Sequence, residues 1–200
     1  MAGQAVRQRK APVQDRAKAT CARICTTTLK LLVTEGEAAL NTNRIAREAG
    51  ISIGTLYQYF PSKEAILTRL VHDHRRAMLE ALRASDATLP DTLPEAMLAL
   101  LSGFGTAYLA GPETAQHLDA VERHLPPDEA IAAMQREIAA IPVACLSEHM
   151  VRDPERVAAD LMEIARALAI VAGQSGDCDT GTLSTRLDPV LRAYLDALTG

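Results

Sequence analysis

Apolar residues recur every three or four positions along almost the whole chain, the period of a helix that buries one face. Residues 14–35 keep it through Ala17, Cys21, Ile24, Thr28 and Leu31, and Gly36 stops the segment. Asn41 and Thr42 offer an N-cap to a short helix with Ile45, Ala46 and Ala49, which ends at Gly50 in a position suited to a left-handed turn. Ser52 caps the next helix, brief at 53–59 because Pro61 forbids its continuation. Ser62 then opens a long helix with Ile66, Leu67, Leu70, Val71, Met78 and Leu82. A loop around residues 90–94 separates front from back.

Beyond that loop, residues 95–110 carry Met97, Leu101, Phe104 and Tyr108 on one face; Gly103 and Gly105 should weaken this helix and Gly111-Pro112 end it. A shorter helix is expected at 113–124. Residues 128–152 follow with Ile131, Met134, Ile138, Ile141 and Cys145, and Pro142 should kink them. The seam of Val157, Leu161, Ile164, Leu168 and Val171 marks a helix at 155–173, and Leu183, Leu187, Val190, Tyr194 and Leu198 mark a last one. No segment has the strand period. The expected fold is all-α with about nine helices.

At 200 residues, 48% hydrophobic and 23% charged, the chain is excluded from the disordered, collagen-like and membrane-bundle classes. The net charge of -4 conceals an asymmetry. Residues 1–63 hold ten Lys and Arg against four Asp and Glu, and residues 64–200 hold eleven against twenty-one. A basic front on an acidic back suits a polyanion-binding module attached to something that does not touch the polyanion, although chance clustering gives the same count. Cys21, Cys25, Cys145 and Cys178 show no Cys-x-x-Cys spacing, so a reducing cytosol and no disulfide are expected. Cys21 and Cys25 share a helix face and read as small buried residues before they read as a thiol switch. Residues 1–14 lack the apolar run of a secretory signal, and no apolar stretch reaches the ~20 residues that span a bilayer. A cytoplasmic protein is expected.

Aromatic residues are only 3% of the chain, yet three of the six fall in Tyr57-Gln58-Tyr59-Phe60. Two short helices joined by a tight turn at Gly50, Ile51 and Ser52 form a helix-turn-helix. Ala46 is small where the helices cross, and Leu56 and Phe60 fill the gap beneath the second helix. Ser52, Ile53, Gly54, Thr55, Tyr57, Gln58 and Tyr59 remain outside, on a helix thin enough for a major groove. Thr42, with Asn43 and Arg44 beside it, Ser52, and Ser62-Lys63 stand at helix starts, where N–H groups favour phosphate oxygens. The Tyr57 and Tyr59 hydroxyls suit phosphate, while Thr55 and Gln58 could address base edges. A core role for the aromatic cluster is the plainer alternative.

The run I-A-R-E-A-G-I-S-I-G-T-L-Y-Q-Y-F-P-S-K-E-A-I-L at residues 45–67 resembles the signature of TetR-type one-component transcriptional regulators, and the likeness extends over about residues 16–78. Thr27 and Thr28 stand where the family usually has two alanines, Leu32 where it favours Phe, and Glu37 where an aromatic commonly follows the glycine. The resemblance implies a flexible basic arm at 1–13, a DNA-binding domain at 14–86 with its motif at 42–61, and a ligand-binding and dimerisation domain at 95–200. It implies that Thr42, Asn43, Ser52, Gly54, Thr55, Tyr57, Tyr59 and Lys63 meet double-stranded DNA. It further implies a homodimer paired through the two C-terminal helices, and a small-molecule effector held among Met97, Leu101, Phe104, Tyr108, His117, Met134, Ile138, Ile141 and Met162. For each of those pocket residues a place in a bundle core is the ordinary expectation.

Other chemistries find less support. His117, Asp119, Glu122 and His124 are dense but lack a metal-ligand spacing. Gly173-Gln174-Ser175-Gly176 is not a nucleophile elbow, and neither a P-loop nor a dinucleotide fingerprint occurs, so no catalytic residue, metal or cofactor is expected. The runner-up is a helical ligand-binding or partner-binding protein with a non-functional DNA head. Arg7, Arg9 and Lys10 could enter a minor groove, or simply belong to a solvated tail.

Overall fold

The computed structural model describes residues 11–109, 111–177 and 179–199. Among them it holds nine α-helices and a single 3-10 turn. The helices are α1 (Ala11–Glu35), α2 (Thr42–Glu48), α3 (Ile53–Tyr59), α4 (Lys63–Asp86), α5 (Leu93–Leu109), α6 (Pro112–Glu122), α7 (Glu129–Glu148), α8 (Pro154–Gln174) and α9 (Thr180–Thr199), with the 3-10 turn at Glu37–Ala39. Arg7, Arg9 and Lys10 of the expected arm lie outside the described residues, as does Cys178.

The chain divides between Arg69 and Leu70 into two compact units. The division falls inside α4 and not at the loop that follows it, because Met78, Leu79 and Leu82 of α4 belong to the apolar core of the second unit. In the first unit α1 packs on α2 and α2 on α3, around buried Ile24, Leu32, Ile45, Leu56, Ile66 and Leu67. Thr28, the last of three consecutive threonines in α1, is fully buried and turns its hydroxyl back to the Ile24 carbonyl at 2.8 Å. The bond satisfies the one polar atom that Thr brings to a site an alanine could fill.

In the second unit α5 is the central helix, packed against α6, α7, α8 and α9. Its Gly103 and Gly105 are points of close approach inside a continuous helix. A Cβ on Gly105 would come within 2.5 Å of Leu183 Cδ2, and one on Gly103 within 3.2 Å of the Ala81 carbonyl oxygen. The helical weakening expected of them is offset by the packing they permit. Likewise α7 runs through buried Pro142 as one helix.

Contrary to the expectation that no stretch is apolar enough, α7 is long and apolar enough by length and composition to cross a membrane. Its alanines, among them Ala132, Ala133, Ala139 and Ala140, raise the mean hydropathy while each adds little apolar surface. In the fold α7 packs on α5 and α8. Its polar side carries ion pairs, Arg136 to Glu129 at 2.7 Å and Glu137 to Arg83 at 2.5 Å.

Two glycines near the helix-turn-helix should respond oppositely to alanine. Gly50 has φ +64, whereas a Cβ on Gly54 inside α3 would meet nothing closer than Ser52 Oγ at 3.8 Å. Gly50→Ala should cost about 1 kcal/mol and Gly54→Ala should gain about 0.5 kcal/mol, read by chemical denaturation.

Candidate nucleic-acid interface

The turn between α2 and α3 is built from backbone hydrogen bonds that need a left-handed residue. Gly50 N–H donates to the Arg47 carbonyl at 3.1 Å and Ile51 N–H to the Ala46 carbonyl at 3.0 Å, the Schellman pair that closes a helix C-terminus. Each short helix is also capped at its start. Asn41 Oδ1 accepts from Arg44 N–H at 2.9 Å, and Ser52 Oγ accepts from Thr55 N–H at 3.0 Å. Ile45, Ala46, Leu56 and Phe60 are buried, so these four side chains hold the two helices together and turn the remaining faces outward.

Asn43, Ser52, Ile53, Gly54, Tyr57 and Gln58 are exposed, and Thr42, Arg44, Thr55, Tyr59 and Lys63 are half-buried. Tyr57 is 52% exposed, the reverse of a core aromatic, and its hydroxyl lies 3.1 Å from Thr42 Oγ1. That contact joins the start of α2 to the middle of α3, placing two hydroxyl groups side by side where an approaching phosphate oxygen could bond both. Ser52 and Thr55 pair their hydroxyls at 2.8 Å. Apart from Ile53, the exposed residues named above are uncharged and rich in hydrogen-bonding groups, the chemistry that reads base edges and positions backbone oxygens.

The cations of this region are engaged within the protein. Arg44 Nη2 lies 2.5 Å from Glu35 Oε1, Lys63 Nζ 3.5 Å from Glu37 Oε1, and Arg47 Nη2 3.2 Å from Glu48 Oε1. Residues 35–63 thus hold three acids and three bases, and the excess of the basic front sits wholly in residues 1–34, with seven bases and one acid. Arg16, Lys18, Arg23 and Lys30 of α1 are exposed members of that excess.

The second unit contains a cavity of about 570 Å³ whose lining includes Phe104, Tyr108, Ile138, Met162, Arg75 and Asp119. Of the effector-pocket residues anticipated from sequence, Phe104, Tyr108, Ile138 and Met162 come together there. Met97 and Leu101 are fully buried in the core, and His117, Met134 and Ile141 do not line the cavity. Sequence reasoning missed its polar floor. Arg75 donates to Asp119 at 2.8 Å and to Glu122, whose other oxygen accepts from Gln135 at 2.9 Å. Tyr108 donates to the second Asp119 oxygen at 3.2 Å. The signal available in sequence was the three-residue spacing of Asp119 and Glu122 on one face of α6. Their cation stands more than forty residues away, so only the fold supplies it.

Burial and the Asp119 carboxylate push the Tyr108 phenol well above its ordinary value, so it stays a donor. Burial and the adjacent Arg75 guanidinium hold His74 below the usual imidazole range; its ring meets Tyr108 edge-on with centroids 5.8 Å apart. His117 instead turns Nδ1 to the Glu113 carbonyl at 2.7 Å. Among the described residues no group of three or more His, Cys, Asp and Glu could hold a metal ion.

Residues 24–70 match the family model described as bacterial regulatory proteins, tetR family. Over 86–90% of the chain the fold is similar to that of solved bacterial regulators. One from Marinobacter aquaeolei VT8 has a TM-score of 0.72 at 16% identity, over 90% of this chain and 97% of that one. A bacterial regulatory protein of the tetR family from Rhodococcus RHA1 has a TM-score of 0.70 at 19% identity, over 86% and 95%. The fatty acid degradation regulator FadR from Bacillus halodurans has a TM-score of 0.67 at 17% identity, over 86% and 94%. Among curated proteins none matches the chain significantly. The first unit therefore carries a tetR-type helix-turn-helix.

Two stability measurements test the polar floor of the cavity. Arg75→Met leaves Asp119 and Glu122 without their shared cation and should cost about 3 kcal/mol in urea denaturation, with Asp119→Asn and Glu122→Gln restoring part of the loss. His74 binds a proton more weakly folded than unfolded. Its contribution is complete above the unfolded value of about 6.5 and is lost as pH falls. His74→Gln should accordingly lose less stability than the wild type on acidification from about pH 7.5 to 5.5, measured as a difference so that the carboxylates cancel.

Proposed function

We propose that this tetR-type chain is a ligand-responsive DNA-binding transcription regulator that acts in the cytoplasm as a homodimeric repressor, binds a near-palindromic operator, and is released by a small-molecule effector. The observation that carries the reading is the outward face of α2 and α3, where Thr42 and Tyr57 share a hydrogen bond at 3.1 Å over a buried base of Ile45, Ala46, Leu56 and Phe60. In this reading α3 enters a major groove. Ile53, Gly54, Thr55 and Gln58 face base edges, and Ser52, Tyr57, Tyr59, Thr42, Asn43, Arg44 and Lys63 hold the flanking phosphates.

Dimerisation is assigned to α8 and α9. Val171 is 49% exposed, Val190 41% and Leu198 38%, and exposed Ala167, Ala193 and Ala197 stand beside them. Small and branched side chains on two adjacent helices suit a four-helix interface with a second copy across a two-fold axis. Two heads so joined meet successive major grooves when they lie about 34–36 Å apart.

The effector site is assigned to the cavity lined by Phe104, Tyr108, Ile138 and Met162, which combines apolar walls with a few convergent polar groups. A ligand that prefers a conformer with another head spacing weakens DNA binding by its differential affinity, about 1–3 kcal/mol in such couplings. Helix α4 is the connection assigned to this coupling, since it starts at Lys63 and carries Arg75. No catalytic role is proposed.

The test is a gel-shift titration on duplex fragments retained by the purified protein. Tyr57→Ala and Lys63→Ala should each weaken binding several-fold while helix content and dimer mass stay unchanged. Unaltered affinity in both would remove these residues from the site. Failure of every duplex to shift the protein would favour a helical ligand-binding protein with an inactive head.

A further inference from the structure

The two glutamates that flank Gly36 reach the two half-buried cations of the candidate interface from a single turn. Gly36, between them, has φ +78, a conformation that favours glycine. Glu35, the last residue of α1, meets Arg44 on α2 at 2.5 Å, and Glu37 meets Lys63 at the start of α4 at 3.5 Å. Neither pair is sealed from solvent: the exposures are 30% and 37% for Arg44 and Glu35, and 25% and 27% for Lys63 and Glu37. A phosphate oxygen can reach both cations, and it meets a carboxylate already in place at each. Arg44 is also incompletely satisfied, because its Nε is buried with no hydrogen-bond partner. An orphaned donor of this kind favours a rearrangement that supplies an acceptor.

We propose that Glu35 and Glu37 act as built-in counter-ions that hold Arg44 and Lys63 in the free protein, so that DNA must displace or share them on binding. This inference rests on the DNA-binding reading above. Its consequence follows from how phosphate affinity arises. Each cation that neutralises a phosphate releases a condensed counter-ion and steepens the salt dependence by about 0.9 in log-log slope on duplex DNA. A cation held by an internal carboxylate contributes less than that. Non-specific affinity, which is almost wholly electrostatic, is thereby lowered, while hydrogen bonds from Thr55, Tyr57 and Gln58 are not. The glutamate pair therefore lowers the electrostatic part of duplex affinity and flattens its salt dependence, whatever the sequence of the duplex.

The experiment is fluorescence anisotropy of the full chain with a labelled mixed-sequence duplex of about 30 base pairs, at about 50–300 mM sodium chloride. Glu35→Gln/Glu37→Gln should bind about tenfold tighter than wild type at the lowest salt, with a slope steeper by as much as about 1.8. Adding Arg44→Ala and Lys63→Ala to that variant should abolish the gain. If the double substitution unfolds the head, Glu37→Gln alone should give about half the change in slope. Affinity and slope equal to wild type, or a gain that survives the loss of both cations, would overturn the counter-ion role while leaving the DNA-binding reading intact. Failure of wild type and variants alike to bind duplex would instead overturn that reading and this inference with it.

Discussion

Two helices of seven residues each are too short to persist in water by their own hydrogen bonds, so α2 and α3 exist because Ile45, Ala46, Leu56 and Phe60 are buried. That burial is the constraint on which the candidate interface depends. Once those side chains face inward, the helical period leaves Asn43, Ser52, Gly54, Tyr57 and Gln58 facing outward. The left-handed turn at Gly50 then fixes the direction in which α3 leaves α2. Capping by Asn41 and Ser52 starts the two helices cleanly. Fold and candidate function are thus two sides of the same four contacts.

The electrostatics follow a different plan from the one net charge suggests. The first 63 residues are basic as a block, but Glu35, Glu37 and Glu48 neutralise the helix-turn-helix itself, and the surplus lies along α1 and before it. The interface is therefore divided. A neutral, hydroxyl-rich and amide-bearing face can discriminate, while an adjoining basic stretch can attract. In the second unit the half-buried charges of the cavity floor are arranged to cancel locally, with Arg75 shared between Asp119 and Glu122. Charges at that depth persist only when paired and hydrogen-bonded.

Most of the helical pattern was legible because burial, caps and breakers repeat the same information. Gly36, Gly50, Pro61 and Pro112 each mark a boundary that the periodicity also marks. The 3-10 turn at Glu37–Ala39 was not anticipated, since three residues are too few to show a period. Gly103, Gly105 and Pro142 were read by local propensity alone, and the structure keeps each of them within a continuous helix. At Gly103 and Gly105 close tertiary approach outweighs the intrinsic cost. The exposed residues of α3 followed from one helical face. The cavity floor did not, because Arg75 meets Asp119 and Glu122 only through the packing of helices distant in sequence. Met97 and Leu101 share the α5 pattern with Phe104 and Tyr108, and periodicity alone does not separate a cavity wall from the core behind it.

The central claim is that two copies of the Thr42–Lys63 face address one duplex at a separation set by pairing of the chains. Hydroxyl-radical footprinting on a DNA fragment retained by the protein tests it most directly. The account predicts protection in two symmetry-related half-sites whose centres lie about one helical turn, 10–10.5 base pairs, apart or a multiple of it. Protection of a single half-site, or two blocks out of phase with the helical repeat, would contradict it.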